Sequence, residues 1–289
     1  MEGDADIAAV AGLIGDRSRA RVLLALGDGR ALAASVLARE AGVSASTISG
    51  HLAKLVDAGL LSVESHGRHR YYRLAGPQVA RLLESLAQHA PPAPVTSLRQ
   101  GTRANAIRAG RYCYDHLGGR LGVAVMQSLI ERGILAGGDG RFRPGRPGGP
   151  GRPGGDRLSA PGRDVDYQLT GAGEAWARGF GIDVDLLRSR RRPLVRYCTD
   201  WSEQQHHLAG ALGAAIADQL LARGWIERAR IGRAVHVTEA GSVALPDLLG
   251  IDLERAAAQR SWPARSKSAR PAGSVIPSLR RARSANPPG

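Results

Sequence analysis

The chain has only two cysteines, and each opens a short run of metal-ligand residue types. One run is Cys113-Tyr114-Asp115-His116; the other is Cys198-Thr199-Asp200-Trp201, followed closely by His206 and His207. Thiolate, carboxylate and imidazole together suit zinc, cobalt or nickel. Cys113, Asp115, His116, Cys198, Asp200, His206 and His207 therefore form a candidate effector or transition-metal site. A structural reading stands beside it, because isolated cysteines among apolar neighbours are usually small buried side chains, and Asp here can cap a following helix. Arg111 and Arg196, each two positions before a cysteine, could hold an anionic effector or pair with Asp115 and Asp200.

A second set of side chains suits contact with a polyanion. Ser44, Ser46, Thr47, Ser49, Gly50, His51 and Lys54 are followed by His66, Arg68 and Arg70. Short hydroxyls hydrogen-bond base edges and phosphates without holding a helix out of a groove, and cations grip the flanking backbone. Enzyme signatures are missing. Gly118-Gly119-Arg120-Leu121-Gly122 is read as helical, with no strand leading into it as a dinucleotide fingerprint needs. There is no Gly-Lys-Ser/Thr phosphate loop, no serine in a nucleophile elbow, and no third partner to orient a base beside either cysteine. No catalytic residue is expected.

The elements that position the polar set are legible over residues 34–61. Ala38, Ala41, Gly42 and Val43 make a tight corner between two helices, and Ser44 can cap the second. On that helix Ile48, Leu52, Leu55 and Val56 recur at three- and four-residue steps as a buried stripe. Ser46, Thr47, Ser49, Gly50 and Lys54 fall on the other side, and Gly59 closes the helix. Residues 60–64 and 71–74 alternate like strands around the basic turn His66-Gly67-Arg68-His69-Arg70, which predicts a winged helix-turn-helix.

Residues 7–89 resemble the ArsR-type winged-helix repressors of bacteria. The resemblance is carried by GDRSRARVLLAL, SASTISGHLAKLVDAGLL, GRHRYYRL and a last helix over 77–88 with Val79, Leu82, Leu83 and Leu86. It implies a homodimer joined through the first and last helices of this domain, bound to a near-palindromic operator on double-stranded DNA. It also implies metal sensing, but the familiar cysteine pair is replaced by Leu32, Ala33, Ala34, Ser35 and Val36. The last helix offers only Glu84 and His89, too few for a zinc shell, so neither family metal site carries over.

The remainder contains an internal repeat. RYCYDHLGGRLGVAVMQSLIERGIL from Arg111 returns as RYCTDWSEQQHHLAGALGAAIADQLLARGWI from Arg196, with residues 116–122 aligned to 207–213. Matches continue through Thr170 and Thr238, each placed to cap a helix, to the ends near 185 and 254. Each copy reads as helix (121–132; 212–223), C-cap glycine (Gly133; Gly224), strand, loop, strand, helix. These are expected to be degenerate winged helices that do not read DNA, since Val123, Ala124, Val125 and Ala214, Ala215, Ile216 replace the polar face. Packing about a pseudo-twofold axis would bring the two Cys/Asp/His runs together. Trp176, Trp201 and Trp225 are expected in the core.

The predicted fold class is mainly α with small β wings (α+β): a winged helix-turn-helix plus a duplicated winged-helix-like C-terminal module. The expected divisions are 1–90, DNA-binding domain; 91–110, linker; 111–187, repeat 1, with a disordered Gly/Pro/Arg-rich insertion at 136–163; 188–254, repeat 2; 255–289, a disordered basic tail. The formal charge of +14 favours polyanionic partners, although much of it lies in the insertion and tail. An acidic N-terminus, no apolar run of membrane-spanning length and two cysteines predict a cytoplasmic, nucleoid-associated protein without membrane contact. The expected function is sequence-specific transcriptional regulation, as a repressor released by a small-molecule or metal effector. The alternatives are sequence-independent DNA coating and a metal-responsive regulator using Cys113 and Cys198.

Overall fold

The computed structural model describes residues 4–67, 69–91, 93–142, 166–230, 232–251 and 253. The expectations for Arg68, for 143–163 within the insertion, and for the 255–289 tail fall outside the described residues.

Helices α1 (Ile7–Gly15) and α2 (Arg17–Ala25) meet at Asp16, which accepts from the N–H groups of Ser18 and Arg19 at 3.0 and 2.9 Å. Strand β1 (Leu32–Ala33) leads into α3 (Ala34–Ala41), and the corner at Gly42 takes the left-handed conformation. Helix α4 (Ala45–Asp57) is capped by Ser44, whose Oγ accepts from the Thr47 N–H at 3.2 Å. Strands β2 (Leu61–His66) and β3 (His69–Leu74) pair antiparallel from Leu61↔Leu74 to His66↔His69, and β1 joins beside β3. The strands thus reach further into the basic turn than the sequence pattern predicts, pairing as far as His66 and His69. Helix α5 (Pro77–His89) completes the domain. Leu23, Leu26, Leu37, Ile48, Leu52, Leu55 and Leu74 form the centre of one core.

The expected linker at 91–110 instead contains helix α6 (Leu98–Ala109). Ser97 accepts from the Gln100 N–H, and Gln100 reaches back to the Thr96 N–H, a variant of the capping box.

Beyond it, β4 (Arg111–Cys113) and β5 (His116–Gly118) form a hairpin that runs into α7 (Gly119–Glu131). A strand therefore does precede Gly119, contrary to the sequence reading. It belongs to a hairpin, however, and not to a β-α-β unit. Next come β6 (Leu135–Ala136), β7 (Gln168–Leu169), α8 (Gly171–Gly179) and α9 (Val184–Ser189). The same succession then returns: β8 (Arg196–Thr199), β9 (His206–Ala209), α10 (Gly210–Ala222), β10 (Ile226–Arg228), β11 (Val235–Val237) and α11 (Glu239–Leu249), with the positions that answer to α9 falling largely outside the described residues. Thr170 and Thr238 cap α8 and α11, accepting from Gly173 and Gly241 at 2.9 and 3.0 Å. Both halves share a single core that includes Tyr112, Leu121, Met126 and Leu129 with Leu212, Ile216, Leu220 and Leu249. The first residues of the expected insertion are packed rather than loose: Gly140 donates to the Tyr167 hydroxyl at 2.9 Å and accepts from the His206 N–H at 2.8 Å. Among the described residues no helix is long and apolar enough to cross a membrane.

Candidate functional site

Helix α4 divides as its sequence pattern predicts. Ile48, Leu52 and Leu55 are buried and Val56 packs beside them, while Ser46, Thr47, Ser49, Gly50 and Lys54 are exposed. The Ser44 Oγ lies 2.8 Å from both the Ser46 and Thr47 hydroxyls, so the first turn carries a connected row of hydroxyls at the positive end of the helix. His51 is set apart from that row. It is half-buried, with Nδ1 3.8 Å from the α2 cap Asp16. On the wing His66 and Arg70 are exposed; His66 stands edge-on to Tyr71, and Arg73 pairs with Glu64 across the hairpin.

The second candidate set divides into an assembled cluster and its surroundings. In β4–β5 Cys113 lies directly opposite His116, and in β8–β9 Cys198 lies directly opposite His207. Cross-strand partners point to the same face of a hairpin, so each hairpin presents one thiol and one imidazole. The two hairpins bring these pairs together, and one ligand atom from each of the four residues lies within 4.8 Å of all the others. His206, adjacent to His207, points to the opposite face as strand geometry requires. Its Nδ1 is 2.9 Å from the Tyr167 hydroxyl and its ring packs on Tyr197.

Asp115 and Asp200 sit behind the cluster. Asp115 Oδ1 is 3.0 Å from His116 Nδ1, and Asp200 Oδ2 is 3.2 Å from His207 Nδ1. Asp115 is paired with Arg192 rather than Arg196, with one contact at 3.1 Å, whereas Asp200 takes Arg111 at 2.9 Å. Burial opposes the charge on His207, but Asp200 and Cys113 outweigh it and raise its pKa to about 9. The Cys113 thiol, hydrogen-bonded to Cys198 and buried, is pushed up to about 12. Burial also opposes the Asp115 carboxylate, yet His116 and Arg192 hold its pKa at about 2.

Two glycines let the helices approach this cluster. A Cβ on Gly122 of α7 would stand 2.3 Å from the Leu117 carbonyl oxygen and 3.5 Å from His207 Cβ. A Cβ on Gly213 of α10 would stand 2.6 Å from the Leu208 carbonyl oxygen and 3.4 Å from His116 Cβ. Each half therefore seats the histidine of the other.

Residues 14–64 match the family model described as a helix-turn-helix domain. The chain is 38% identical over 248 residues to the HTH-type transcriptional regulator YdfF of Bacillus subtilis (strain 168), covering 86% of this chain and 99% of YdfF. The chain belongs to the HTH-type transcriptional regulators. Among solved structures, similarity extends to the cadmium metal-sensor CMTR of Mycobacterium tuberculosis, at 32% identity over 32% of this chain and 100% of that one, with a TM-score of 0.26. The homodimeric winged helix-turn-helix DNA-binding domain Mb0332 of Mycobacterium bovis matches at 27% identity over the same shares, also with a TM-score of 0.26.

In this regulator the DNA-binding domain and the C-terminal module meet through pairings that the sequence reading did not anticipate. The Tyr114 N–H donates to the Gly27 carbonyl at 2.8 Å, and its side chain packs against the core of the first domain. Gln88 of α5 donates to the Thr199 carbonyl at 3.0 Å. Arg30 donates to the Gly232 carbonyl at 2.6 Å. Glu84 is buried between Arg233, at 2.5 Å, and Arg111, at 3.6 Å. Burial pushes its carboxyl up, but the two guanidiniums outweigh this and hold it below the usual range. Glu84 therefore has a structural use that accounts for a charge on an otherwise amphipathic helix. The sequence gives no local signal for Arg233 as its partner.

Proposed function

We propose that this regulator is a homodimeric repressor of the ArsR type, reading a near-palindromic operator and leaving it when an effector binds the C-terminal module. The observation that carries the reading is the open polar face of α4 beside an exposed wing. Ser46, Thr47 and Ser49 would meet base edges in the major groove, while Lys54, His66 and Arg70 would hold phosphates. Dimerisation is supported by apolar side chains left exposed on α1 and α5: Ile7 at 76%, Leu82 at 37% and Leu86 at 44%. Two copies joined there would place their reading helices about 34 Å apart, in successive major grooves. The equal succession of elements, with Cys113 and His116 answering to Cys198 and His207, supports a duplicated module. Cytoplasmic, nucleoid-associated placement follows from this role.

Binding of the full chain to its own upstream DNA and to shuffled DNA across a salt series tests the proposal. Preference for the native fragment by about a thousandfold is expected of a specific regulator. Thr47→Ala should change base preference, whereas Arg70→Ala should weaken all DNA alike and reduce the salt slope by about one. Equal affinity for both DNAs, collapsing with salt, would replace this reading with sequence-independent coating.

A further inference from the structure

We propose that Cys113, His116, Cys198 and His207 bind one tetrahedral divalent transition-metal ion of the zinc class, and that this ion is the effector of the C-terminal module. The effector role rests on the regulator reading above; the site itself does not.

Four donors of the right types converge in a buried place, and they include both cysteines of the chain. His116 is 5% exposed and His207 is fully buried, yet Nε2 of each has no hydrogen-bond partner. A buried polar atom left unsatisfied costs about 1–3 kcal/mol, and a metal ion would satisfy both nitrogens at once. The opposite ring nitrogens face Asp115 and Asp200, the carboxylate–histidine arrangement that orients a metal-ligating imidazole. Asp200 is further held by Arg111, Ser202 and the Gly119 N–H, which fixes it as an orienting group behind the ligands.

Two sulfurs and two nitrogens in a tetrahedron suit zinc, while magnesium and calcium require oxygen shells. Bond lengths of about 2.3 Å to sulfur and about 2.0 Å to nitrogen place such ligands roughly 3.3–3.8 Å apart. The present cluster would need to contract by no more than about 1.5 Å to reach them. On binding, the two thiols lose their protons, as does any ligating ring nitrogen that carries one, and the two thiolates neutralise the dication, so no net positive charge is added to the core. Four protein ligands leave no open position for a reacting water, which fits sensing or structure rather than hydrolysis.

Contraction would be felt in the DNA-binding domain. Tyr114 lies between ligands Cys113 and His116, holds a left-handed φ of 66°, and is tied to Gly27 through its N–H. A tyrosine in that conformation stores strain of about 1–3 kcal/mol, and its neighbours on both sides fix it there. Thr199, next to ligand Cys198, is tied to Gln88 on α5, the helix placed at the proposed dimer face. A shift of the ligand hairpins therefore acts on the spacing of the two reading helices.

The test begins with metal analysis of the full chain purified under reducing conditions, followed by chelation and titration with Co2+ and Zn2+. One zinc-class ion per chain is expected. The Co2+ form should show thiolate-to-cobalt charge transfer and the intense visible bands of tetrahedral cobalt. Cys113→Ser and Cys198→Ser should each lose the charge-transfer intensity, and His206→Gln should keep it. The wild-type cobalt spectrum decides the matter even if a serine variant fails to fold. Failure to bind Zn2+ or Co2+, or a native Cys113–Cys198 disulfide that survives reduction, overturns the site. Zn2+ should weaken operator binding by about tenfold relative to the chelated protein. One bound ion with unchanged operator affinity overturns the effector role and leaves the site standing. Chelated protein that cannot distinguish operator from shuffled DNA overturns the regulator reading instead.

Discussion

Helices α4, α7 and α10 are each 13 residues long and each is followed by a left-handed glycine, Gly59, Gly133 or Gly224, yet they are put to opposite uses. Helix α4 buries three residues and leaves its hydroxyl face open; α7 buries eight and α10 seven. The first two turns make the difference. Ser46, Thr47, Ser49 and Gly50 in α4 keep water on one side, while Leu121, Gly122, Val123 and Val125 in α7 admit a neighbour on every side. Length and closing glycine make a helix of this kind, and its early side chains decide whether it becomes a surface or a wall. As walls, α7 and α10 hold the two hairpins against each other and assemble the thiol–imidazole cluster.

The seam between the two regions should give the largest response. Glu84→Gln leaves Arg233 buried without its carboxylate, while Arg111 keeps Asp200 at 2.9 Å, and should cost about 3 kcal/mol in urea unfolding. Because the folded carboxyl titrates below its ordinary value of 4.5, its contribution is complete above that pH and is lost as pH falls through the lower folded value. The Gln variant should therefore lose less stability on acidification than the wild type. A cost below about 1 kcal/mol would show that the two regions are held together elsewhere.

The helices themselves offer a sharper contrast. Gly122→Ala drives a methyl toward the Leu117 carbonyl oxygen and should destabilise by about 3 kcal/mol. Gly50→Ala meets nothing within 4 Å and gains helix propensity, so it should stabilise by up to about 1 kcal/mol. Equal effects at the two glycines would erase the distinction between surface and wall.

Much of this was legible in the sequence. The stripe Ile48, Leu52, Leu55 and the cap Ser44 follow from helical period and hydroxyl chemistry, both local properties. The alignment of Cys113 with Cys198 and of His116 with His207 already pointed to convergence of the two runs. The repeat alignment matched His207, not His206, to His116, yet both were kept as candidate ligands; the pairing register shows that His207 shares a face with Cys198 and His206 does not. The roles of Asp115 and Asp200 behind the imidazoles, and the Glu84–Arg233 pair, depend on chain segments far apart in sequence and leave no local trace. Helix α6 was a missed local signal: Ser97 and Gln100 carry a capping pattern inside what composition marked as linker.

Amide hydrogen exchange of the full chain, with and without operator DNA, tests most directly that one region reads DNA and the other does not. Protection is expected over residues 44–54 and the wing strands at 64–73, with residues 119–131 and 210–222 unchanged by DNA. Direct protection of α7 or α10, with α4 unaffected, would contradict the account.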